Sequence, residues 1–310
     1  MAALRESGDA GLSGEVLAER LGVSRVAVAK HVRTLRDLGY AIDAVPGSGY
    51  RFRSAPNAPL PDEIARLLDS PMWTRLEGGA TTGSTNDDAR ALAARGSPEG
   101  TVVLASRQTA GRGRLGRSWD SPDGGLYFSA ILRPQVSPAV VSSLALALAL
   151  GVARGLEALG FEPRLKWPND VLLADGKVAG ILLEMTAEAD RVDRVIAGVG
   201  LNVQRPRTGA FEGATYLADH VAGVRLAPTA AAVLDGIAEA YGVWRERGFT
   251  GLHDEYSLRS ALEGSQVSVR DLRGTVRTRG TVVGVDSEGR LLVQTGDEVT
   301  AVSSGEVTLS

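Results

Sequence analysis

Cysteine is absent from all 310 residues of this chain. That absence excludes disulfides, zinc fingers and thiol catalysis together, and it fits a reducing cytoplasm. A surplus of positive charge is also missing, since 34 Lys and Arg stand against 37 Asp and Glu, a net charge of −3. A globally basic nucleic-acid coat is therefore excluded, and any DNA contact must come from a local patch. No apolar run reaches the ~20 uninterrupted residues of a membrane span. The most apolar segment, 138–159, contains Ser142, Ser143 and Arg154. It is expected to be a buried core helix capped by Ser137 and ended by Gly160, with no membrane partner. Arg5, Glu6 and Asp9 interrupt the N-terminal segment, so no signal peptide is expected and the chain is read as cytoplasmic.

What is present is enough chain for two or three domains, with a hydrophobic content of 44% to build their cores. One stretch stands out: Gly111-Arg112-Gly113-Arg114-Leu115-Gly116-Arg117-Ser118-Trp119. Glycine lets backbone approach a ligand closely, and arginine supplies a permanently charged fork matched to phosphate or carboxylate. Trp119 adds a flat face. No Gly-Lys-Ser/Thr follows, so this is not a Walker A loop, and three arginines would crowd a dinucleotide-binding turn. The stretch reads as a loop that wraps a nucleotide-like anion, against the plainer alternative of a solvated basic loop.

Residues 1–55 read as a winged helix-turn-helix. Ser13 caps a helix over 14–21, Gly22 makes the turn, and Ser24 caps a second helix reaching about residue 38. Val28, Val32 and Leu35 share one face of it, while Arg25, Lys30, Arg33 and Arg36 line the other. Strands over 41–45 and 49–52 make a wing around Pro46-Gly47-Ser48. The order points to DNA binding through Ser24, Arg25, Lys30, Arg33 and Arg36; a small bundle with a solvated charged face is the alternative. A proline-stiffened linker, 54–61, and a short helix over 62–68 precede a large domain placed at 72–262.

In that domain Ser84-Thr85-Asn86 is expected to cap a helix over 87–95, and a strand over 101–109 delivers Gln108 to the mouth of the arginine loop. Another strand covers 126–132. Lys166-Trp167-Pro168-Asn169-Asp170 is a second unusual stretch, and Asp175-Gly176 signals a hairpin between 171–173 and 178–184, with Lys177 beside the turn. In a strand over 194–203, Ile196, Gly198, Gly200 and Asn202 share one face. Two successive missing side chains suggest a ligand against the sheet, or else close packing of another backbone. A helical stretch over 217–246 follows. Short strands near 266–269, 280–286, 290–294, 298–302 and 306–309 suggest a small antiparallel barrel at 263–310. The fold class is α+β.

These motifs together resemble the bifunctional biotin–protein ligases that double as biotin-operon repressors. The resemblance rests on the wing ending Val45-Pro46-Gly47-Ser48-Gly49-Tyr50, on Ser84-Thr85-Asn86, and on Gln108 with Gly111-Arg112-Gly113-Arg114. Lys166-Trp167-Pro168-Asn169-Asp170, Lys177 to Gly180, and Gly198 to Asn202 complete it. Gly83 departs from the pattern, where an acidic residue commonly stands. The resemblance implies biotin and ATP as substrates, Mg²⁺ as the accompanying ion, and biotinyl-adenylate as the intermediate. It also implies a carrier-protein lysine as the acceptor (the biotin carboxyl carrier protein of acetyl-CoA carboxylase), operator DNA as a partner, and a homodimer. Arg112, Arg114, Lys166, Lys177 and Asp170 become the catalytic candidates, with Asp170 assigned either to Mg²⁺ or to the incoming amine. Ser84, Thr85, Asn86, Gln108, Gly113, Trp119, Gly180, Gly198 and Asn202, together with Arg112, Arg114 and Lys177, become the ligand-binding ones, Trp119 over the adenylate and Asn202 toward the nucleotide. A lipoate–protein ligase and a ligand-sensing repressor without ligase activity are the competing readings.

Overall fold

The computed structural model describes residues 1–310 apart from 189, 208, 210, 272, 273 and 310. Its contacts divide the chain into two units, 1–57 and 58–310. In the first, helix α1 (Ala2–Glu6) precedes α2 (Gly14–Leu21) and α3 (Arg25–Asp37), and strands β1 (Ala41–Val45) and β2 (Gly49–Ser54) form an antiparallel hairpin. Ser13 Oγ accepts from Val16 N and Ser24 Oγ from Ala27 N, both at 3.1 Å, so both expected caps form. Gly22 takes the left-handed turn at φ 64°. Leu17, Val28, Val32, Tyr40 and Ile42 are the buried centre. Leu12 pairs with Tyr50 through two backbone hydrogen bonds, at 2.9 and 2.8 Å, and so ties the wing to the chain ahead of α2. Gly49, at φ +85°, passes so close to the Leu12 carbonyl that no side chain fits there. Arg36, expected on the DNA-facing side, instead donates to the Ile42 carbonyl through Nε at 2.9 Å and Nη2 at 2.6 Å. Its guanidinium holds α3 to the wing.

The second unit adds α4 (Pro61–Ala65), β3 (Arg75–Thr82), α5 (Thr85–Ala94), β4 (Thr101–Gln108), β5 (Leu126–Leu132) and α6 (Val141–Ala158). Next come β6 (Pro163–Lys166), β7 (Asp170–Leu173), β8 (Gly176–Glu188), β9 (Arg191–Leu201), α7 (Leu217–His220), α8 (Leu226–Arg247) and α9 (His253–Leu258). Strands β10 (Gln266–Arg270), β11 (Val276–Val285), β12 (Leu291–Thr295), β13 (Glu298–Val302) and β14 (Glu306–Leu309) close the chain. A seven-stranded mixed sheet runs in the order β3-β4-β5-β9-β8-β7-β6, parallel between β3 and β4 and antiparallel elsewhere.

Helix α6 is mostly buried because most of its residues are apolar, with Arg154 and Glu157 on its outer side, and α8 packs on it at close range. Gly151 and Gly155 permit that approach: a Cβ on either would meet the backbone of Ile237 or Val233 at 2.6 and 2.5 Å. One stretch, Pro138–Ala158, has the length and hydropathy of a membrane span among the described residues, and 72% of its most apolar window lies inside the protein. It is the core helix. The C-terminal strands pair antiparallel in the order β13-β12-β11-β10-β14. No pairing joins β13 to β14 among the described residues, so the expected barrel is here a five-stranded sheet.

Candidate active site

The expected cap at the start of α5 forms differently from its sequence reading. The helix begins at Thr85, and Ser84, at the N-cap position, makes no side-chain cap. Gln108 Oε1, from the end of β4, accepts from Thr85 N at 2.8 Å and from Thr85 Oγ1 at 3.1 Å. Its Nε2 donates to Ser121 Oγ at 2.9 Å. Gln108 is thus a brace that fixes the helix terminus against the sheet. The buried hydroxyl of Ser129, on β5, lies 2.7 Å from Thr85 Oγ1 and 2.5 Å from Asn86 Oδ1, and Asn86 Nδ2 donates to Glu184 Oε2 at 2.9 Å.

The glycine face of β9 is occupied by the protein itself. A Cβ on Gly198 would collide with the Asn86 carboxamide, and one on Gly200 with the Trp119 indole. On the neighbouring strand, a Cβ on Gly180 would meet Trp119 Cζ3 at 3.0 Å and Lys177 Cε at 3.1 Å. The missing side chains make room here for Asn86 and Trp119, and the same three glycines line the cavity described below. Trp119 Nε1 is buried there without a hydrogen-bond partner among the described residues.

The hairpin after Asp170 turns on Ala174 and Asp175; Gly176 already pairs with Leu173, and the positive φ falls on Ala174 at 50°. Gly176 is small because Thr215 Cβ would stand 2.6 Å from its side chain. This rigid turn starts β8 and places Lys177 Nζ 2.6 Å from Asp170 Oδ1 and 5.1 Å from the centre of the Trp119 ring.

The arginines separate. Arg112 Nη1 lies 2.7 Å from Asp87 Oδ2 and its Nη2 lies 2.9 Å from Asp87 Oδ1 and 3.2 Å from Glu184 Oε1. Asp87 beside it, then Glu184, push the Arg112 guanidinium pKa up, and Arg112 followed by Arg90 holds the Asp87 carboxyl below the usual carboxylate range. Arg114 Nη1 donates to Asn169 Oδ1 at 3.0 Å and Nη2 to the Gly305 carbonyl at 3.4 Å. It makes no ion pair among the described residues, and burial pushes its pKa down. Arg117 pairs with Glu306, whose carboxyl it holds low.

One cavity is lined by Ser84, Thr85, Asn86, Gln108, Arg112, Gly113, Arg114 and Trp119, by Lys166 to Asp170, by Lys177, Gly180, Gly198 and Gly200, and by Gly305 to Val307. Asn202 lies outside that lining; its Nδ2 donates to the Lys177 carbonyl at 3.2 Å. Ser129, Asp87, Glu184 and Glu306 were not singled out from sequence. Ser129 carried a usable signal, a lone hydroxyl in the apolar strand Leu-Tyr-Phe-Ser-Ala-Ile-Leu. The carboxylates carried none, since charged residues are common on surfaces. Chemically, the cavity joins a neutral hydrogen-bonding end at α5 to a cationic end formed by Arg114, Lys166 and Lys177.

The chain matches known proteins along its length. Residues 78–202 match the biotin/lipoate A/B protein ligase family, residues 1–51 an HTH domain, and residues 264–310 the biotin protein ligase C terminal domain. The bifunctional ligase/repressor BirA of Bacillus subtilis (strain 168) is 36% identical over 98% of this chain and 95% of its own length. The protein of that description from Escherichia coli (strain K12) is 32% identical over 96% and 92%. The structure of a biotin protein ligase from Aquifex aeolicus in complex with biotin and ATP superposes with a TM-score of 0.65. It is 31% identical and covers 76% of this chain and 99% of its own.

Proposed function

We propose a catalytic scheme from one premise: this chain belongs to the biotin/lipoate A/B protein ligase family, and it shares nearly its whole length with ligases that are also repressors. It activates biotin with ATP and passes the biotinyl group to a lysine of a biotin carboxyl carrier protein. It also represses transcription through its N-terminal unit. The functional units are 1–55 for DNA, 72–262 for biotin and ATP, and 263–310 as the C-terminal domain that completes the cavity with Gly305, Glu306 and Val307. The observation that carries the ligase reading is the meeting of Lys166, Lys177, Arg114 and the α5 terminus in one cavity.

In the first step a biotin carboxylate oxygen attacks the α-phosphorus of ATP, and pyrophosphate leaves. Positioning and charge neutralisation dominate such a transfer. Lys177 is the rigid cation for the transferring phosphoryl group, while Lys166 and Arg114 complete the positive wall. Ser84, Thr85 and Asn86 face the uncharged ring end. Arg112 joins when it leaves Asp87 and Glu184, and Trp119 leaves Gly180 and Gly200 to cover the adenylate. In the second step the carrier amine attacks the mixed anhydride, AMP leaves, and the amine loses a proton. Asn202 supports Lys177 through its backbone.

Mg²⁺ fits as a companion of the nucleotide. Among the described residues no three carboxylates or histidines cluster as a metal cage, and Asp170 and Glu306 are the carboxylates in the cavity lining. Each is paired with a cation, Glu306 with Arg117 and Asp170 with Lys177; Asp170, beside the Lys177 ammonium, would share the ion with phosphate oxygens, where the ion would neutralise charge, or else would orient the incoming amine. We read the reaction as cytoplasmic, in keeping with an ATP-dependent enzyme that also binds operator DNA. A homodimer would present two winged units to a two-fold-symmetric operator, with steep weakening by salt. Mass spectrometry after incubation with biotin and Mg·ATP should show retained biotinyl-AMP, and addition of a carrier domain should transfer it. Retention without transfer would instead support a sensing repressor.

A further inference from the structure

Helix α3 contains three valines with opposite fates. Val28 and Val32 are 2% and 3% exposed, whereas Val26 is 79% exposed. With 3.6 residues per turn, Val26, Lys30 and Arg33 form one stripe on the side of α3 opposite Val28, Val32 and Leu35. Lys30 and Arg33 are exposed and make no ion pair among the described residues. Asp37 ends the stripe at the far end of the helix. An aliphatic group thus stands beyond the unit's own core, one residue inside the helix start, next to two unpaired cations.

We propose that Val26 reads the 5-methyl group of a thymine in the major groove of the operator. This rests on the DNA-binding reading of the N-terminal unit. In a helix-turn-helix the first residues of the second helix meet base edges while cations further along meet phosphates. Arg25 and the Ser24 cap flank Val26, but the Ser24 hydroxyl already accepts from Ala27 N. The thymine methyl is the one apolar feature of the groove edge, and an aliphatic side chain is its complement. Lys30 and Arg33 supply the charge complementarity that brings this face to DNA.

The test uses the full chain with biotin and Mg·ATP. Selection from random duplexes gives the preferred half-site, and each dT in it is then replaced by dU, which removes only the methyl group. Wild-type binding should weaken about four-fold at one position per half-site, the scale of one buried methyl group. Val26→Ala should abolish that difference and leave the others unchanged. Lys30→Ala should weaken all duplexes alike and reduce the salt slope. Val26 is exposed, so Val26→Ala is expected to fold, and an unchanged dU response at the other positions checks this. Equal dU sensitivity in wild type and Val26→Ala overturns the inference alone. Failure of the wild type to select any sequence overturns the repressor reading as well.

Discussion

Lys177 Nζ is held 2.6 Å from Asp170 Oδ1, although in the β7–β8 ladder Lys177 pairs with Leu172 and Asp170 with Gly180. Both side chains rise from a tight hairpin, so the cation is preorganised. Arg114 differs: it sits on the glycine-rich loop and is held by Asn169 Oδ1 and the Gly305 carbonyl, partners without charge. Preorganised charge acts most strongly on the transition state, at about 10²-fold or more in rate per donor. Loop ordering acts mainly on retention. Lys177→Ala should therefore slow adenylate formation by about 10²-fold with little change in adenylate release. Arg114→Ala should still form adenylate but release it several-fold faster, so that lysines of bystander proteins become labelled. Single-turnover rates and off-rates measure both; equal defects in both steps for both variants would mean that loop and hairpin act as one.

Arg112 must leave two carboxylates before it can meet an anion. The pairs with Asp87 and Glu184 are partly exposed, and exposed pairs contribute about 0–1 kcal/mol each. Asp87→Asn should accordingly speed loop closure on biotin by no more than about five-fold. Stopped-flow binding followed by Trp119 fluorescence, with Trp119→Phe as the control, reads this. A slower closure in Asp87→Asn would show that Asp87 supports the bound loop instead.

The glycines of β9 should not be equivalent. Asn86 is fixed between Ser129 and Glu184, so a side chain at position 198 has nowhere to displace it. Overpacking of that kind costs about 1–3 kcal/mol. Trp119 belongs to a loop and makes no hydrogen bond through Nε1 among the described residues, so it can yield to a side chain at position 200. Gly198→Ala should lower the melting temperature clearly, and Gly200→Ala should lower it little while impairing adenylate retention. Thermal melts of the two variants decide; a larger loss for Gly200→Ala would contradict the argument.

His253 gives the fold a pH dependence. Its Nδ1 lies 2.9 Å from Asp254 Oδ1 and its Nε2 lies 2.8 Å from the Val285 carbonyl. Asp254 first, then that carbonyl, raise its pKa from 6.5, because only the charged ring donates to both. A raised folded-state pKa means the contribution is fully present below about 6.5 and is lost as pH rises through the folded value. Stability should therefore fall modestly as pH rises above about 6.5 through the raised folded-state value, and His253→Gln should flatten that slope. Chemical denaturation at fixed pH values measures it; an unchanged slope in the variant would assign the dependence elsewhere.

Much of this site was legible in the sequence because its motifs are local. Most of the stretch from Arg112 to Trp119, Lys166 to Asp170 and Lys177 do meet in one cavity, and Ser13 and Ser24 cap the helices they were expected to cap. What sequence could not give was the destination of long side chains. Arg112 reaches Asp87 and Glu184, Arg36 reaches the Ile42 carbonyl, and Gln108 caps a helix 23 residues away. Each is a tertiary pairing with no fixed spacing. The glycines of β9 illustrate a second limit: a missing side chain signals close approach, but not whether a ligand, a carboxamide or an indole approaches.

The central claim is that the biotin carboxylate is the nucleophile toward ATP in the cavity around Lys177. Exchange of labelled pyrophosphate into ATP by the purified protein measures that step alone. The account expects exchange only when biotin is present, lost in Lys177→Ala and unsupported by lipoate. Exchange without biotin, or exchange driven equally by lipoate, would contradict it.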